Sequence, residues 1–74
     1  MLSTDITKEE KLDLIASRIR GVKINKYSAE LNIIEQNATD VPDANIIATS
    51  NKTIQTAEAQ IEALQAQYDS VEAE

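Results

Sequence analysis

The sequence predicts an all-α protein, an antiparallel two-helix hairpin of coiled-coil type that associates into a helical bundle or a larger assembly. Three observations lead there. Apolar residues recur at helical spacing through two long segments, about 7–38 and 43–73. One cluster of helix-breaking residues, Asn37-Ala38-Thr39-Asp40-Val41-Pro42-Asp43, separates them. The 74 residues include one Gly, one Pro and no Cys, His, Phe or Trp, which excludes a disulfide scaffold and a Cys/His metal site.

The first segment opens with Thr7-Lys8-Glu9-Glu10, the spacing of a capping box in which Thr7 accepts from the Glu10 amide and Glu10 reaches back to Thr7. Leu12, Ile15, Ile19 and Val22 follow at spacings 3, 4 and 3, a helical period and not the alternation of a strand. The turn is expected over 39–42. Pro42 disfavours helical geometry at Val41 yet suits the start of a new helix, where Asp40 or Asp43 can cap. In the second segment Ile47, Ser50, Ile54, Ala57, Ile61, Leu64, Tyr68 and Val71 run at spacings 3-4-3-4-3-4-3, and only Ser50 departs from an apolar seam. Helices of about 31 residues would each be about 46 Å long, and a short connection makes them antiparallel neighbours.

Folding about residue 40 opposes residues whose numbers add to about 81, so Ile34 meets Ile47, Leu31 meets Ser50, Tyr27 meets Ile54 and Ile24 meets Ala57. That register closes the half of the hairpin near the turn. In the other half it sets Arg20, Ser17 and Asp13 against Ile61, Leu64 and Tyr68. The stripe Leu12, Ile15, Ile19 and Val22 lies roughly 110° around the helix from Ile24, Tyr27, Leu31 and Ile34. Three readings stay open. Gly21 can mark a kink or bulge that rotates the face. The stripe can face a second chain, continuing through Ala29 and Ile33 with Lys26 as a polar interruption. Or the helix breaks at Gly21, Asn25 caps a new one, and a three-helix bundle results. On the second reading Leu12, Ile15, Ile19, Val22 and Ile33 make the inter-chain contact, while Ile47, Ile54, Ile61, Leu64, Tyr68 and Val71 form the seam. A chain this short buries little surface alone, and association is the usual remedy.

Thirteen acids against seven bases give a net charge of −6. Six of the bases fall in residues 8–26, whereas the chain from Asp43 onward has six acids and only Lys52. Mutual compensation between the segments is expected, with Lys23 and Glu58 level with one another. Arg18, Arg20, Lys23 and Lys26 beside Tyr27 invite a nucleic-acid reading, but they point to widely different sides of the helix, so nucleic acid is not an expected partner. Glu9-Glu10 and Glu58 with Glu62 lie on solvated faces, and no His or Lys arrangement activates a Ser or Thr. Asp40, Asp43 and Asn45 lack the glycine and glutamate of a calcium loop. No enzyme, cofactor, metal or small-molecule substrate is therefore expected. Residues 1–15 carry no signal-peptide pattern, large apolar residues run no longer than pairs, and the sequons at Asn37 and Asn51 read as chance. The expected setting is soluble and intracellular, or virion-associated, with no membrane contact.

The stretch TKEEKLDLIASRIRGVKINKYSAELNIIEQN, followed by a turn and an Ala/Gln/Glu-rich heptad helix, resembles small uncharacterised hairpin proteins of tailed bacteriophages. The "TKEEK" opening, "NKYSAELNIIE" midway and the repeated seam positions carry the likeness. It implies a virion or assembly component. The function expected from the sequence is thus structural: a hairpin that binds itself or docks on a larger protein assembly. The rivals are a small adaptor or inhibitor bound to one host protein, and a nucleic-acid accessory protein using the basic segment 18–26.

Overall fold

A computed structural model describes residues 5–74; residues 1–4, part of the stretch read for an export signal, lie outside the described residues. Two helices, α1 (Lys8–Asn37) and α2 (Ala44–Glu72), pack against each other as an all-α hairpin measuring 55 × 18 × 15 Å.

Local chemistry sets the ends of both helices. At the start of α1 the Thr7 hydroxyl accepts from the Glu10 amide at 3.1 Å and the Glu10 carboxylate accepts from the Thr7 amide at 3.1 Å, completing the capping box. The backbone bond from Thr7, then its hydroxyl, hold the Glu10 carboxyl below its ordinary pKa. Asp43 caps α2, its carboxylate accepting from the Asn45 amide at 2.9 Å. Gln36 ties the turn together. Its backbone carbonyl accepts from the Thr39 hydroxyl at 2.9 Å, and its side-chain carbonyl accepts from the Asp43 amide at 2.8 Å. No described residue has positive φ, so α1 stops without a left-handed glycine cap.

The seam follows the long stripe of α1. Ile19 and Ala29 are buried, and Leu12, Ile15, Val22, Lys26, Ile33 and Gln36 are half-buried. Opposite them, Ser50, Ala57 and Val71 are buried and Ile47, Ile54, Ile61, Leu64 and Tyr68 half-buried. Two ion pairs mark the register: Lys11 Nζ lies 3.4 Å from Glu74 Oε1, and Lys26 Nζ lies 3.5 Å from Glu58 Oε2. Paired residue numbers therefore add to about 84. The stripes then mesh along their whole length, Leu12 level with Val71, Ile19 with Leu64, Ala29 with Ile54 and Gln36 with Ile47. Three of the five buried positions are small, Ala29, Ser50 and Ala57, while Ile19 and Val71 are the large side chains buried with them.

This arrangement corrects four expectations. Leu12, Ile15, Ile19, Val22 and Ile33 lie along the intramolecular seam, so the assignment of that stripe to a second chain is withdrawn. Lys26 does not interrupt it: its methylenes stay in the seam while its ammonium reaches Glu58. That pair replaces the expected Lys23–Glu58 pair, because the register sits two to three residues from the symmetrical one. Finally, α1 runs unbroken through Gly21, which removes the helix break and the three-helix bundle.

Gly21 has ordinary φ, and a Cβ built on it meets nothing within 4 Å. Gly21→Ala is expected to stabilise the hairpin by about 0.5–1 kcal/mol in urea unfolding followed by circular dichroism; destabilisation would mean a local conformation that an unbroken helix lacks. Glu10 gives a pH test. Because its folded pKa is depressed, its stabilisation of the α1 start is present above the ordinary glutamate pKa and lost as pH falls through the lowered value. Amide-exchange protection in the first turn of α1, taken relative to the intrinsic rate at each pH, should fall as Glu10 is protonated in the wild type, and Glu10→Gln should abolish that dependence.

Candidate functional site

Once α2 covers the long stripe, a second apolar row is left on the outside of α1. Ile24 is 59% exposed, Tyr27 60%, Leu31 40% and Ile34 60%. They recur at spacings 3, 4 and 3, which places them on one helical face over three turns. The row sits about 140° around α1 from the seam, pointing away from α2. Scattered exposed Leu or Ile residues are ordinary on a soluble protein, but four in a heptad-spaced row form a contiguous patch. These are the residues that symmetrical folding about the turn would have buried against α2. The structure exposes them instead.

Ordered side chains frame the row. Toward the α1 N-terminus it runs into Arg20 and Lys23, both exposed; toward the turn it is followed by exposed Glu35. Glu30 is half-buried on the flank nearer α2. Gly21 and Ser28, both small and exposed, occupy the other flank. They also line a groove between the helices, together with Arg18, Asn25, Gln60 and Ala63. Val22, Leu64 and Ile24 of the outer row line the same groove, so that side is mixed in polarity with Arg18 as its charged member, and the opposite side carries the Lys26–Glu58 pair.

The predicted site residues fall into two sets. Ile47, Ile54, Ile61, Leu64, Tyr68 and Val71 all lie on the α2 face toward α1, where Val71 is buried and the others are half-buried. Leu12, Ile15, Ile19, Val22 and Ile33 are their counterparts on α1. None of the four outer-row residues was expected to meet a partner; the symmetrical register set them against the second helix instead. The basic segment likewise separates, with Lys26 in an ion pair, Arg18 in the groove and Arg20 at the head of the outer row. Among the described residues no cluster of three or more acids could hold a metal ion, and no helix is long and apolar enough to cross a membrane.

No family matches the chain, and no curated protein or solved structure shows significant similarity to it.

Adjacent residues Ile33 and Ile34 separate the two faces in one experiment. Ile33→Ser is expected to lower hairpin stability by roughly 1–2 kcal/mol, since it removes part of the seam. Ile34→Ser, measured at micromolar dilution, should change stability by no more than about 0.5 kcal/mol. Equal losses from both would place the seam on a different face of α1.

Proposed function

We propose that this chain is a structural, interaction-type protein whose hairpin self-associates through the outer row of α1. The observation that carries this reading is the exposed Ile24, Tyr27, Leu31 and Ile34, a second coiled-coil seam on a helix whose first seam is already occupied. A two-helix rod leaves this row in water, so a neighbouring copy laid against it would add burial that the monomer lacks. The reading needs no catalytic group or cofactor. The resemblance to small hairpin proteins of tailed bacteriophages points to a virion or assembly intermediate as the setting, where many copies stand at high local concentration and a short apolar row suffices.

Sedimentation across a concentration series tests it. The wild type should pass from an 8.2 kDa monomer to a dimer with rising concentration, and its melting temperature should rise in step. Tyr27→Glu with Ile34→Glu should hold the chain monomeric without unfolding it. A wild type that stays monomeric to millimolar concentration, or a double variant that associates as the wild type does, overturns the reading.

A further inference from the structure

Accepting self-association through the outer row, we infer that the two copies meet as an antiparallel, two-fold pair of α1 helices, with Arg20 of each copy bridging to Glu35 of the other. The spacing of the row reads the same in both directions, as a two-fold contact requires. Reversing one copy sets Ile24 level with Ile34 and Tyr27 level with Leu31, twice over, so all eight side chains find an apolar partner. The axis then passes between the two Ser28 side chains, where small residues on the flank let the backbones close.

Charge decides between this arrangement and the parallel one. In a parallel pair the row would continue into Arg20 facing Arg20, with Glu30 flanking Glu35 on both sides. Three like-charge meetings would fall on the same short contact. In the antiparallel pair, Arg20 lies level with Ala38 of the other copy, one helical turn from Glu35, within the reach of an arginine side chain. Each end of the contact gains one such bridge. One like-charge meeting remains, Glu30 with its own counterpart across the axis. Because the outer row and the seam lie on nearly opposite sides of α1, the product is a flat row of four helices, α2–α1–α1–α2, and not a compact four-helix bundle. The α2 helices stay on the outside.

The chain has no cysteine, so a single introduced thiol reports the geometry through a short bis-maleimide cross-linker. Ser28→Cys in the full-length chain should link to itself efficiently. Gly21→Cys and Glu35→Cys should each fail to self-link, since like positions then stand about 24 Å and about 18 Å apart along the helix axes, yet a mixture of the two should give the mixed dimer. Arg20→Glu and Glu35→Arg should each weaken the dimer about tenfold, with the double exchange returning it to within about threefold, and Glu30→Gln should tighten it. Self-linking at 21 and 35 as fast as at 28, or no recovery in the double exchange, overturns the antiparallel pairing while a wild type that still dimerises leaves self-association standing. A wild type that never dimerises removes both.

Discussion

The structure depends on one seam, and that seam is chosen by length. α2 carries an apolar row along its whole extent, and α1 offers two rows that could meet it. The row ending in Ile24, Tyr27, Leu31 and Ile34 covers only the half near the turn. The row from Leu12 to Gln36 covers all of it. Each large apolar side chain moved out of water contributes about 1.5–3 kcal/mol, so a seam twice as long outweighs a locally better one. Its cost is Lys26, and the cost is small because a lysine can leave its methylenes in the seam and place its charge on Glu58.

Other features follow from that choice. The register moves two to three residues from the symmetrical fold, the turn spans six residues between helices, and Gln36 comes to lie where its side chain can hold the Asp43 amide. Ala29, Ser50 and Ala57 become buried in the seam together with Ile19 and Val71. The row that lost the competition stays in water. Its exposure is a consequence of intramolecular pairing, and a surface of this kind remains available for contact with a second molecule.

Electrostatics acts here as a guide to register and contributes little to stability. The two ion pairs are solvent-accessible, and pairs of that kind are worth about 0–1 kcal/mol. They nevertheless make the basic half of α1 and the acidic α2 compatible in one orientation. The strong division of charge along the chain therefore has an intramolecular explanation that requires no polyanionic partner.

The capping box, the Asp43 cap, the unbroken heptads of α2 and the two-helix architecture were all legible in the sequence, because each depends on residues within about one or two helical turns of one another. The inner stripe of α1 was legible too, down to Ala29 and Ile33, but its partner was not. Periodicity reports that a face is apolar without saying what covers it. Which of two competing rows α1 turns toward α2 is a non-local comparison, settled by the total burial along the full length of both helices and by the freedom of Lys26 to bend away. The sequence by itself determined two helices and where they begin and end; only the tertiary structure decided which face of the first is hidden and which is left for others.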